Sequence, residues 1–248
     1  MDKRIIDWVP QNKRERGEEK KKIIFEWICI FQYSNQAILM ELLGLKHPNN
    51  SAYFKKLDDS ELLQRLTLPT LRNQIFMLSR NSLSLLTGFE YAGQYSTDPR
   101  RVSASLARHN LAVQRSILSR RALWDSVIPE RLLKERGKKV PDAILIKDNI
   151  KTALEIELTL KTKNKIYLAF TDHARAYRDG LYNKVIYVFD NQRVRDTYQA
   201  VFDEEAWPVF RFSQAKKRYV EDAEKFNPKL LPGFKESVSF EVEKLLHD

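Results

Sequence analysis

Apolar residues recur at helical spacing over residues 23–31 and again over 35–43, where Gly44 supplies a stop. After a short turn holding His47 and Pro48, Asn50 or Ser51 is placed to cap a third helix that runs to about Leu57. Tyr53, Phe54 and Leu57 form its apolar stripe. Residues 61–68 and 74–78 read as two strands joined through 69–72. Gly88, Gly93, Ser96, Thr97 and Pro99 punctuate the stretch 82–100, which predicts a connector with a domain boundary near residue 95. Beyond it the pattern predicts a helix over 101–119 and a strand over 122–128.

From Val140 strands take over. Pro141-Asp142-Ala-Ile-Leu-Ile, a polar turn at 147–149 and a second strand over 152–161 predict a hairpin. In that second strand Leu154, Ile156, Leu158 and Leu160 point one way. Glu155, Glu157, Thr159 and Lys161 point the other, because strand side chains alternate with period two. A helix over 163–178, a buried strand over 184–189, a helix over 191–202 and a final strand over 209–212 follow. The region 213–248, with Lys216, Lys217 and Arg218, predicts an amphipathic last helix that either packs on the C-terminal domain, the reading preferred here, or contacts a partner.

With 248 residues, 43% of them hydrophobic and 11% aromatic, the chain can fill two modest cores and is not disordered throughout. Residues 1–22, rich in charge and interrupted by Pro10 and Gly17, predict an arm; 23–95 and 96–248 predict the two domains. Cys29, alone in an apolar run, excludes an intrachain disulfide and reads as core. No run approaches the roughly 18 apolar residues of a membrane span, and the charged start lacks the apolar stretch of a signal peptide. The expectation is a cytoplasmic protein without a membrane partner.

A net charge of +10, spread along the chain, favours a polyanionic partner. Three helices followed by a hairpin is the order of a winged helix-turn-helix, whose third helix enters the major groove. On that reading Asn50, Ser51, Lys55, Lys56 and Arg72 face double-stranded DNA. The same helical triplet also suits a small dimerisation domain.

The hairpin after Val140 brings Asp142 beside Glu155 and Glu157. A strand with one solvated face produces the same alternation. Three converging acids add something more: hard oxygen ligands that suit Mg²⁺ or Mn²⁺ bound together with phosphate oxygens. Lys161 would add positive charge near the transition state, so phosphodiester cleavage is the natural use. Pro141-Asp142 and Glu155 match the first two elements of the PD-(D/E)XK nuclease motif. The third departs, since Glu157 stands where that motif has lysine, and the lysine role passes to Lys161 or Lys163. The fold class expected is α+β/α/β: a winged helix-turn-helix, then a PD-(D/E)XK nuclease-like domain with a mixed sheet flanked by helices. No organic cofactor is implied.

Five segments, Phe31-Gln-Tyr33, Tyr53-Phe-Lys-Lys-Leu57, Arg108-His-Asn-Leu-Ala-Val-Gln114, Pro141-Asp142-Ala and Ala153-Leu-Glu-Ile-Glu-Leu-Thr-Leu-Lys161, resemble the replication-relaxation family and the related MobC-type plasmid mobilisation relaxases. The resemblance implies a protein that recognises a transfer origin and nicks one DNA strand with a divalent metal. It implies metal ligands at Asp142, Glu155 and Glu157, a basic catalytic residue at Lys161, and an accessory mobilisation protein and a coupling protein as partners.

His47, His109, His173 and His247 show no paired ligand spacing, so a three-histidine metal site is not expected, and His109 reads as a structural hydrogen-bonding group. Tyr167 and Tyr177 fall on the helix after the acidic strand, within reach of a scissile phosphate but better suited to packing. Two other readings stay open: a non-catalytic winged-helix regulator of replication or transcription, and a restriction-type endonuclease that breaks both strands.

Overall fold

A computed structural model of the chain describes residues 13–45, 51–69, 71–133, 140–215 and 217–245, with the backbone alone at 13, 14 and 51. The chain forms two compact units that divide between Ala122 and Leu123. Among the described residues there are seven α-helices, and none is long and apolar enough to cross a membrane.

The N-terminal unit runs α1 (Lys13–Phe31), β1 (Ser34–Asn35), α2 (Gln36–Leu42), α3 (Ser51–Asp59), β2 (Leu63–Leu66), β3 (Ile75–Leu78), α4 (Arg80–Ser84) and α5 (Ala104–Ser119). Its three strands pair antiparallel in the order β1-β3-β2. Asn35 starts α2 by accepting a hydrogen bond from the Ile38 backbone N–H at 2.9 Å. Gly44 ends it with φ near +63°, a conformation that costs glycine little. Ile24, Ile28, Leu39, Phe54, Ile75 and Met77 are buried, and so is Cys29.

Two sequence expectations change here. The charged arm does not extend to residue 22: α1 already begins at Lys13, and pairs such as Lys21 with Glu18 at 2.8 Å support its polar start. Residues 1–12 lie outside the described residues. The boundary near residue 95 moves to 122, because what looks like a connector is held inside the unit. The Tyr95 hydroxyl accepts from the Leu78 N–H at 2.7 Å and donates to the Gln32 carbonyl at 3.1 Å. Helix α5 is fixed to α1 by a buried polar chain. Trp27 Nε1 donates to Gln114 Oε1 at 2.8 Å, Gln114 Nε2 donates to the Tyr33 carbonyl at 2.9 Å, and Asn110 Nδ2 donates to the Phe31 carbonyl at 3.0 Å. Arg121 then donates to the Glu41 and Leu42 carbonyls at the end of α2.

The C-terminal unit runs β4 (Ser126–Pro129), β5 (Ala143–Lys147), β6 (Ile150–Glu157), α6 (Lys163–Arg178), β7 (Lys184–Phe189), α7 (Gln192–Phe202), β8 (Trp207–Ser213), β9 (Arg218–Phe226) and β10 (Val238–Val242). Five strands form a mixed sheet in the order β10-β7-β6-β5-β4. The pairs β4/β5 and β5/β6 are antiparallel, while β6/β7 and β7/β10 are parallel. Asp148 and Asn149, both at positive φ, make the two-residue turn between β5 and β6, the twist that a tight hairpin needs. Helix α6 turns Ile166, Phe170, His173 and Ala174 inward at helical spacing. Phe170 meets the rings of Tyr187, Tyr198, Phe202 and Trp207.

Two further expectations are corrected. The acidic strand ends at Glu157 rather than at 161, and Leu160 is exposed, because the chain must turn before Thr162 opens α6. The amphipathic last helix is absent among the described residues: β9, two short 3₁₀ turns and β10 take its place. Val238, Phe240 and Val242 alternate with period two along β10.

Candidate functional site

The register of β5 on β6 sets Ala143 opposite Leu154, which brings Asp142 to the end of the acidic strand. Its Oδ2 accepts from the Ile156 N–H at 2.7 Å, so the carboxylate is held by backbone rather than by a flexible side chain. Glu155 and Glu157 lie on one face of β6, beside Tyr187 and Phe189 of the parallel neighbour. They sit at the carboxyl end of a parallel strand pair, where open α/β sheets gather ligands.

Both glutamates are only 3% exposed. The charged face of β6 is therefore not a solvated one, since α6 and α7 cover it with His173 and Tyr198. Glu157 takes Lys161 as its partner, Nζ to Oε1 at 2.6 Å, across the turn that leaves the strand. Burial raises the Glu157 carboxyl above its ordinary range. Lys161 works against that, and the charges of Glu155 and Asp142 add to it. Asp142, Glu155 and Glu157 thus share one electrostatic neighbourhood.

Glu155 faces inward. His173 Nε2 stands 3.1 Å from its Oε1, within ion-pair distance though away from the line of a well-aligned hydrogen bond. His173 Nδ1 meets the Tyr182 hydroxyl at 2.5 Å. Burial first, then Glu155 and Asp172, push the Tyr182 phenol far above its usual range, so it stays protonated and can donate to Nδ1. The Tyr198 hydroxyl, raised by burial and then by Glu157, is a second neutral phenol against the acids.

No family model, curated protein or solved structure matches the chain. What it can do chemically therefore rests on its own side chains.

Asp142, Glu155, Glu157 and Lys161 come together as the sequence predicts, but they divide the work unevenly. Among the described residues no group of three or more His, Cys, Asp or Glu has the arrangement of a metal cage. Asp142 and Glu157 carry hard oxygen donors, the kind that a divalent ion keeping most of its waters takes one or two at a time. Glu155 has His173 Nε2 3.1 Å from its Oε1. Lys163, the other candidate for the lysine role, pairs with Glu204 at 2.8 Å and lies over the Tyr167 ring. Tyr167 donates to Glu204, and Tyr177 donates to the Pro232 carbonyl, so neither is directed at the acids. Sequence reasoning missed Tyr182 and Tyr198, and it weighed His173 only as one of four histidines without ligand spacing. Only His173 carried a signal, three residues after Phe170 on the inward stripe of α6.

In the N-terminal unit, Phe54 and Leu57 are buried while Lys55 and Lys56 of α3 are exposed. Arg72 is exposed between β2 and β3, on the rim of a polar cavity of about 370 Å³ lined also by Asn35, Gln36, Arg65 and Gln74. Asn50 lies outside the described residues, as does the side chain of Ser51. His47, Lys216 and His247 lie outside them too.

Proposed function

We propose that this chain is a divalent-metal-dependent DNA nickase of the plasmid mobilisation type. In this reading the N-terminal unit is a winged helix-turn-helix that selects duplex DNA, and the C-terminal unit is a PD-(D/E)XK-like nuclease that cuts one strand. The observation that carries it is the pair of glutamates on β6, each 3% exposed, beside Asp142 and offset by a lysine. Buried acids are costly unless paired or coordinating. Acids grouped at a strand end beside a cation suit phosphoryl chemistry.

Asp142 and Glu157 would hold Mg²⁺ or Mn²⁺. Such an ion would supply Lewis acidity toward the scissile phosphate. Glu155, fixed from behind by His173, keeps the strand end in position and adds negative charge beside the ligands. Lys161 leaves Glu157 for the phosphate and stabilises the charge that develops on its oxygens. In the N-terminal unit the order α1-β1-α2-α3-β2-β3, with Lys55, Lys56 and Arg72 exposed, supports docking of α3 in the major groove and the β2–β3 loop on the backbone.

The test is incubation of the protein with a supercoiled plasmid carrying the DNA that flanks its own coding sequence, with and without Mg²⁺ or Mn²⁺. Wild type is expected to give metal-dependent open circles. Glu157→Ala and Asp142→Ala should lower the rate by about a hundredfold or more while keeping DNA affinity. A second reading, a non-catalytic DNA-binding regulator, draws on the same Lys161–Glu157 pair, because that lysine neutralises the acid without any metal. Tight binding without nicking, alike in all three proteins, selects that reading, and a linear product selects a double-strand endonuclease.

A further inference from the structure

Among the described residues, strands β8 and β9 do not join the five-stranded sheet but pair with each other. The inner end of this hairpin is anchored: Trp207 is fully buried and packs on Phe226 at 5.6 Å between ring centroids. The outer end has the opposite character. Phe212 and Tyr219 stand directly across from one another in the register, so their rings share one face, 5.5 Å apart. They are 49% and 55% exposed.

Charge is distributed just as unevenly along the hairpin. Residues 213–220 contain Lys216, Lys217 and Arg218 and no acid. Glu221, Asp222 and Glu224 lie further in, where Asp222 and Glu224 engage Arg211. Among the described residues neither Lys217 nor Arg218 has an ion-pair partner. An exposed aromatic pair bordered by cations complements a ligand with flat apolar faces and a polyanionic backbone.

We infer that the outer end of the β8–β9 hairpin binds an unpaired DNA strand, with bases stacked on Phe212 and Tyr219 and phosphates met by Lys217 and Arg218. In a duplex the base faces are stacked on one another and only their edges are accessible. In an unpaired strand the faces are available to aromatic rings. The inference deepens the nickase reading and rests on it for the source of the strand, since a protein that opens one strand handles unpaired DNA.

Fluorescence anisotropy with labelled oligothymidine and with a labelled duplex tests it on the full chain. Wild type is expected to bind oligothymidine. Phe212→Ala with Tyr219→Ala should weaken that binding about twentyfold or more, as the loss of base stacking predicts, and leave duplex affinity within about twofold. Phe212→Trp with Tyr219→Trp retains flat rings and should retain binding. Lys217→Ala with Arg218→Ala should flatten the salt dependence by a slope of about 1.4. A far-ultraviolet circular dichroism spectrum and a urea midpoint unchanged from wild type report that each variant is folded. Oligothymidine that does not bind wild type, or binds the alanine pair equally well, overturns the inference. Equal losses for both DNAs overturn it too, since they point to a groove contact. Wild type that binds oligothymidine but no duplex leaves this inference standing and removes the recognition role of the N-terminal unit.

Discussion

Glu157 has lost its water and shares its surroundings with two other acids, and Lys161 is the cation that faces it. Because its folded-state pKa is raised above the unfolded value, the native state binds the proton more readily than the unfolded chain does. Stability therefore falls as pH rises from the ordinary glutamate range through the folded pKa, and the penalty is complete above it. Glu157→Gln removes the charge but keeps an acceptor for Lys161. It is expected to be more stable than wild type at neutral pH, with the difference shrinking toward pH 4, the ordinary glutamate range. Urea denaturation at several pH values checks this. If Glu157 is a metal ligand, saturating Mg²⁺ should reverse the order by raising the unfolding free energy of wild type alone, by about 2.7 kcal/mol at a hundredfold excess over Kd.

Among the elements, α5 shows how a polar residue can fix a packing arrangement. Gln114 is fully buried, and its amide joins the Trp27 indole to the Tyr33 carbonyl. Gln114→Ala leaves a buried donor and a buried acceptor unpaired. It should cost about 2–4 kcal/mol, read as a lower urea midpoint with little change in slope. Leu106→Ala on the exposed side of the same helix should stay within about 0.5 kcal/mol. The segment Arg108–Gln114 was legible as special, but its purpose was not, because a glutamine buried against a residue 87 positions away leaves no periodic trace. Helix α6 and strand β7 were legible to the residue, since both carry local periodicity and sharp polar ends. The gathering of Asp142, Glu155 and Glu157 was legible from the hairpin and the period of two. That α6 seals their face was not, and neither was the turn that makes Lys161 reach back to Glu157. Strand β10 was read as helix because its partner, β7, lies about fifty residues earlier in the chain.

The whole molecule carries a net charge of +10, and its cations include Lys55 and Lys56 on α3 and Lys217 and Arg218 on the β8–β9 hairpin. If α3 docks on duplex DNA, log K should fall linearly with log salt, with a slope near −0.9 for each phosphate neutralised. Lys55→Ala with Lys56→Ala should reduce that slope by about 1–2 and weaken duplex binding without altering oligothymidine binding. Titration at several salt concentrations measures both quantities. A slope that does not change would remove α3 from the phosphate contacts.

One edge of the C-terminal sheet is formed by residues 238–242, aligned parallel to β7, with Phe240 stacked on Tyr187 and Phe189. Synthesis therefore delivers this sheet in a fixed sequence: β6 and β7 emerge early, and the strand that covers the outer edge of β7 emerges last. Until Val242 has left the ribosome, β7 has an open hydrogen-bonding edge beside uncovered aromatic rings, the kind of surface that pairs with other chains. Nascent chains stalled before Val238 should collect in the insoluble fraction, which makes the interval between the synthesis of β7 and that of β10 a vulnerable one for this protein.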